Sequence, residues 1–534
     1  MKARPGAPLI VRSRIALAAL FCATAFSIVA ARLVDVMVFG AGPRTVGGAA
    51  SIAHPMRADL VDRNGVLIAR DLPVSDLYAM PAALWDANEA AHELADATGA
   101  DEAHLKALFA PKRGYILVQR GLTPDRRDAV MRLGLPGLNF EDGYKRFYPS
   151  GRIVAHAVGQ VDTDDHGVSG LELGLESSVR GSRDAAPIVL SLDMRIQYVL
   201  EHAIEEAAHD FRTKAAGGIV LNVRTGEVLA LASMPDYEPN SRRLEPGDSI
   251  RNRMTQDVYE LGSIFKIFAF TLAVEEKSVR LDEPINIGNG LKLGHYLIHD
   301  FERLGPTLSA AMVFAQSSNI GTAQIEMRTG PTKQKPFLRK MGLLEPLKTE
   351  LPEVAAPLYP RHWEDVEAAT IAYGHGISVN PLGFTAAAAA VVNGGTLIQP
   401  TFLKHDEVQS GERVISEDTS RTMRELMRLV VTDGTGTKAD VQGYDVGGKT
   451  GTAEKAENGS YAHHLLISSF CGVFPIHDPK YLVFMMLDEP HGNRQSGGFA
   501  TGGATAAPAV GRVIARIAPL LGVHRNDIFA AANP

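Results

Sequence analysis

Two cysteines in 534 residues, Cys22 in an N-terminal apolar stretch and Cys471 in a buried-strand pattern, are too few and too far apart in context for a disulfide framework. Basic charge is not in excess: 54 Lys and Arg against 61 Asp and Glu leave a formal net charge of −7, which gives nucleic acid no footing. No His-Glu-x-x-His zinc pattern and no Gly-x-Ser-x-Gly nucleophile elbow occur. His54, His92, His104, His156 and His166 lack metal-ligand spacing and read as surface or packed residues. Neither a metal nor an organic cofactor is called for. Apolar runs of near-membrane length are scarce, and the one from Ile15 to Ala31 follows Lys2, Arg4, Arg12 and Arg14. It reads as an uncleaved anchor over 15–39 with a cytoplasmic tail, 1–14, and an exported remainder. A signal peptide cleaved after Ala23-Thr24-Ala25 is the alternative.

What the chain does have is a lysine where a lysine is costly. Lys266 is the sole charge in LGSIFKIFAFTLAV, a segment apolar on nearly every face and therefore buried as a helix. A buried ammonium must find partners or give up its proton. At i and i+3, Ser263 and Lys266 share a helix face, the arrangement of a nucleophile and its base. Ser-x-x-Lys arises by chance in a chain of this length, but Ser317-Ser318-Asn319 and Lys449-Thr450-Gly451 follow in the order of the penicillin-recognising serine acyltransferases.

Gly443 to Thr450, GYDVGGKT, also satisfies the Walker A pattern. A phosphate loop needs a buried strand before it and a helix after it. Here VQ-GYD is a poor strand, and GTAEKAENGS puts glycine and turn formers where the helix should begin. A β-lactamase would share the three motifs, yet no Glu-x-x-x-Asn pattern lies between Asn319 and Lys449 to supply the deacylating carboxylate of class A enzymes.

With these motifs, the stretches RADLVDRNGVLIA, KRFYPSGRIVAHAVGQVD, LSLDMRIQ, VRTGEVLALASMPDYEPN, RNRMTQDVYELGSIFK, YGHGISVNPLG and GGKTGTAEK give a chain that resembles a class B, monofunctional penicillin-binding protein along nearly its whole length. Asn319 and the modest length are more similar to the cell-division (septal) member than to the elongation member. The resemblance implies a peptidoglycan D,D-transpeptidase. Ser263 attacks the penultimate D-Ala carbonyl and Lys266 takes its proton. Ser317 relays that proton, and Asn319 bonds the substrate amide and Lys266. Lys449 and Thr450 receive the terminal carboxylate, and the Ser263 and Thr452 N–H groups form the oxyanion hole. It implies as partners the stem peptides and lipid-linked precursor, β-lactams, the membrane, and division proteins including a glycan polymerase. A sensor or structural division protein with little turnover is the other class of reading. Leu261 stands where the family often has proline, and Ile264-Phe265 are bulkier than common.

The expected architecture is multidomain α+β. Residues 45–186 form a non-catalytic pedestal, with a strand, an Asn64-Gly65 turn and a strand across Arg57–Ala69, helical composition over 82–108 and helical periodicity over 125–133, and a glycine-rich connector from Lys145 to Asp184. Residues 187–525 form the transpeptidase domain, an antiparallel sheet with helices on both sides. It has a helix over 196–211, a hairpin across Arg224-Thr225-Gly226, strands over 464–474 and 481–487, a packed alanine-rich helix over 385–392 and a closing helix over 504–521.

Overall fold

The structure, a computed structural model, describes residues 56–526 except 112–113, 181–185, 242–246, 406 and 458–459, together with Leu20, Ala23, Thr24, Phe26 and Ser27. The expected anchor and tail thus fall almost wholly outside the described residues, among which no helix is long and apolar enough to cross a membrane. The chain divides into two compact units, one holding residues 74–143 and the other 55–73 together with 144 onward. In this division residues 55–73 and the connector group with the C-terminal part.

In the smaller unit, helices Ala87–Thr98 and Glu102–Phe109 are delimited by local chemistry. The Asp86 and Asp101 carboxylates accept from the first-turn N–H groups, and Gly99 closes the first helix at φ 73°. They pack with helix Pro124–Arg132 and strand Ile116–Leu122 around Leu94, Leu105, Phe109 and Val130.

The larger unit opens with the expected strand, turn and strand. Asp62 Oδ1 accepts from the N–H groups of Asn64 and Val66 at 2.7 and 2.8 Å, and Leu60 and Val61 pair with Ala69 and Leu67. The connector, though irregular, carries a buried ionic cluster. Arg57 Nη2 lies 2.7 Å from Glu172 Oε2, Arg146 Nε 2.7 Å from Glu172 Oε1, and Arg146 Nη1 3.2 Å from Asp71 Oδ1, with all four side chains fully inaccessible. Arg57 also reaches the half-buried Glu176 at 2.7 Å.

The main sheet and its helices follow. Helix α1 (Met194–Asp210) leads into hairpin strands β1 (Ala215–Asn222) and β2 (Val228–Met234). A middle region carries α2 (Lys266–Glu275), α3 (Asn319–Thr329), α4 (Pro381–Val392) and α5 (Glu417–Thr432). The chain ends in β3 (Gly447–Glu457), β4 (Ser460–Phe474), β5 (Tyr481–Asp488) and α6 (Ala506–Leu520). The five strands form one antiparallel sheet in the order β3-β4-β5-β1-β2.

Its central strands are apolar at successive positions because both faces are covered. Val220, Val483, Met485 and Leu487 pack with α1 and α6, while Ile219, Leu221, Phe484 and Met486 pack with Phe268 and Phe384 of α2 and α4. Every residue of α4 is buried, and Asn380 Oδ1 caps it by accepting from Gly383 N–H at 2.7 Å. Strand β3, which carries Lys449-Thr450-Gly451, stands where a phosphate loop would require a helix, so the Walker A match is without a structural basis.

Candidate active site

Ser263 sits on a single 3₁₀ turn, Gly262–Phe265, that runs directly into α2. Gly262 adopts φ +60°, and a Cβ there would lie 2.5 Å from the Thr452 carbonyl oxygen, so only glycine lets β3 approach the turn so closely. The Gly262 N–H also donates to Gly374 O at 3.3 Å, which locks the YGHG segment against the same turn.

Lys266, fully buried, points its amine at four oxygens: Ser263 Oγ at 3.0 Å, Ser317 O at 2.5 Å, Ser317 Oγ at 3.1 Å and Asn319 Oδ1 at 2.7 Å. Burial pushes its pKa well below the ordinary lysine range, the charge of Lys449 pushes it further, and Asp300 opposes both. A neutral amine has two N–H bonds and one lone pair. Once the amine is neutral, the two shortest contacts, to Ser317 O and Asn319 Oδ1, can absorb its N–H bonds, which frees the lone pair for a hydroxyl proton.

Ser317 occupies the left-handed region at φ 62°, held there by its N–H to Phe314 O at 3.2 Å and by the Ser318 N–H to Val313 O at 2.9 Å. That conformation places its hydroxyl between two lysines, 3.1 Å from Lys266 and 2.9 Å from Lys449. Lys449, also fully buried, donates to Thr450 O at 3.1 Å, and its pKa is lowered to about 7 by burial. The Thr450 hydroxyl bonds that of Thr435 at 2.6 Å, and Thr452 Oγ1 accepts from Gly502 N–H at 3.0 Å.

All seven residues singled out in the sequence thus lie in one neighbourhood. Ser263, Ser317, Asn319, Thr450 and Thr452 line a cleft of about 1100 Å³. Lys266 and Lys449 lie beneath its floor. Three contributors escaped sequence reasoning. His299 O accepts from Asn319 Nδ2 at 3.2 Å and fixes which way the amide faces. Asp300 caps α3, and Thr435 bonds Thr450; each is a lone polar residue in a polar loop, with no periodicity to flag it. His375 faces the cleft from the matching stretch YGHGISVNPLG and is kept neutral by burial, its pKa lowered to about 4.

A serine hydroxyl beside a buried lysine whose charge is disfavoured, a second hydroxyl bridging two lysines, and threonine hydroxyls over a buried lysine on a sheet edge define a serine acyltransferase of the penicillin-recognising type. The chain belongs to the penicillin-binding protein transpeptidase family: the family model described as penicillin binding protein transpeptidase domain matches residues 216–514, and that for the penicillin-binding protein dimerisation domain matches 52–205. It is similar to the probable peptidoglycan D,D-transpeptidase FtsI of Caulobacter vibrioides, 41% identical over 503 residues that cover 91% of this chain and 85% of that one. It is also similar to the peptidoglycan D,D-transpeptidase FtsI of Escherichia coli K12, at 28% identity over 88% of this chain and 85% of that one. Among solved structures, penicillin-binding protein 3 of Mycobacterium tuberculosis superposes with a TM-score of 0.70 at 25% identity, covering 89% of this chain and 98% of that one. That protein has also been solved in complex with aztreonam and with ampicillin.

Proposed function

We propose that this chain is the septal peptidoglycan D,D-transpeptidase of its cell and the target of β-lactams. The observation that carries the reading is the Lys266 amine, fully buried and within 3.1 Å of Ser263 Oγ, Ser317 Oγ and Asn319 Oδ1 at once. Ser263 Oγ attacks the carbonyl of the penultimate D-Ala of a stem peptide as Lys266 takes the hydroxyl proton. The Ser263 and Thr452 N–H groups receive the developing oxyanion, the former at the start of a helical segment.

Ser317 passes the proton to the departing D-Ala nitrogen, and Asn319 holds the substrate amide. Lys449 and Thr450 receive the terminal carboxylate, and that anion favours the protonated form of an amine otherwise poised at about 7. A second stem peptide supplies the acceptor amine and regenerates Ser263. The substrate reaches the site as lipid-linked precursor polymerised by a partner glycan polymerase of the division machinery. In this reading residues 15–39 anchor the chain in the cytoplasmic membrane with 1–14 inside, 45–186 form the pedestal, and the catalytic part works on the periplasmic side.

The test is cross-link formation by the purified full-length chain supplied with lipid-linked precursor and a glycan polymerase. Cross-linked muropeptides should accumulate with the wild type and be absent with Ser263→Ala. A wild type that binds penicillin at Ser263 yet forms no cross-links would instead be a sensor or structural division protein.

A further inference from the structure

Asp300 does three things at once. Its Oδ1 accepts from the backbone N–H of Asn319 at 2.5 Å and of Ile320 at 3.0 Å, and its Oδ2 accepts from the Ser318 hydroxyl at 2.7 Å. The same Ser318 oxygen accepts from Gly321 N–H at 3.0 Å, so two side chains share the capping of α3. The preceding residue orients the Asn319 amide through its carbonyl oxygen. The loop bearing Asp300 therefore fixes the backbone on which Ser317 and Asn319 meet Lys266.

Asp300 is also the carboxylate whose field acts on Lys266. A base buried this deeply beside Lys449 gives up its own proton readily, but it must also accept one from Ser263, and burial alone opposes that. We propose that Asp300 is a positioning residue for acylation: its carboxylate clamps the Ser317–Asn319 turn onto Lys266 and steadies the ammonium that Lys266 becomes on taking the Ser263 proton. The Ser263 O–H bond breaks, the Oγ–carbonyl bond forms, and the proton rests on Lys266 Nζ before Ser317 passes it to the leaving nitrogen. The charged or titratable groups facing Lys266 are Lys449 from β3, Asp300 from its loop and His375 from the YGHG segment.

This rests on the roles proposed above for Ser263 and Lys266, and the test separates the two. The rate constant for acylation of the full-length chain by a fluorescent penicillin is measured from pH 4 to 10 for wild type, Asp300→Asn, Asp300→Ala and Ser318→Ala, with melting temperature as a check on folding. Wild-type labelling confined to Ser263 tests those roles; the variants test Asp300. Asn keeps the shape and an oxygen for the N–H groups but removes the charge. It should slow acylation by about tenfold and move the acidic limb of the profile to lower pH by about half a unit or more. Removing the whole clamp in Asp300→Ala should slow acylation more than Asn does. Ser318→Ala, which keeps the charge, should slow it without moving the limb. An acidic limb that stays in place in Asp300→Asn, or a rate within twofold of wild type there, overturns the proposal, and Ser318→Ala keeps the clamp testable should Asp300→Ala not fold.

Discussion

Lys266→Arg lowers the rate of Ser263 acylation by at least about two orders of magnitude. Arginine supplies a positive charge and donors for Ser317 O and Asn319 Oδ1, so a lysine that served only as a structural cation would be replaced at small cost. A base cannot be, because a guanidinium holds its proton at every accessible pH. In the wild type the buried amine releases its proton well below the ordinary lysine range, chiefly because burial disfavours the charge and secondly because Lys449 repels it. Acylation should accordingly persist as pH falls below that range and fail only when Lys266 takes up a proton. Since Lys449 titrates at about 7 and shares the Ser317 hydroxyl with Lys266, the limbs of the profile belong to the pair. Time-resolved labelling with a fluorescent penicillin measures the rate, and a melting curve shows whether the variant is folded. Near-normal acylation by a folded Lys266→Arg protein would move the base elsewhere.

Glu172→Ala destabilises the larger unit by about 3–5 kcal/mol. Glu172 accepts from Arg57 and Arg146 on its two oxygens, and all three side chains are fully inaccessible. Deleting it strands two guanidinium groups in the interior with fewer anions than they need, and each must then lose partners or admit water. Asp71 still faces Arg146 and Glu176 still faces Arg57, which keeps the loss below that of two wholly unpaired charges. The cluster joins the first hairpin to the connector, so the loss should appear as a lower denaturant midpoint. Glu172→Gln, which retains an acceptor oxygen, should lose less. A Glu172→Ala protein within about 1 kcal/mol of the wild type would mean that the pairs are too well solvated to hold these segments together.

The residues that carry the chemistry were legible in the sequence because the reaction demands particular types at short, fixed spacing. A serine and a lysine one helical turn apart in an apolar segment can be read without knowing the fold. The same is true of the hairpin across Arg224-Thr225-Gly226 and of α4, where local pattern and burial agree. Strand β3 was less legible. Its glycines read as turn formers, yet a Cβ at Gly451 would stand 2.7 Å from the Leu261 carbonyl, so the glycines let the strand pass close to the catalytic turn and tertiary contact overrides propensity. The ionic cluster was invisible for a different reason. Arg57 and Glu172 are far apart in the chain, and each alone is an ordinary charged residue whose burial only the fold creates. Asp300 shares that fate, since its significance lies in the two backbone N–H groups and the hydroxyl it meets.

Acylation rests on Ser263 as the nucleophile, and mass spectrometry of the tryptic peptide Met254–Lys266 after exposure to a penicillin tests that role most directly. The β-lactam carbonyl occupies the place of the D-Ala-D-Ala carbonyl and its leaving amine stays tethered, so the peptide should gain the full mass of the antibiotic, with fragmentation placing it on Ser263, and Ser263→Ala should gain none. Labelling that survives Ser263→Ala, or that maps to another residue of the wild type, would contradict it.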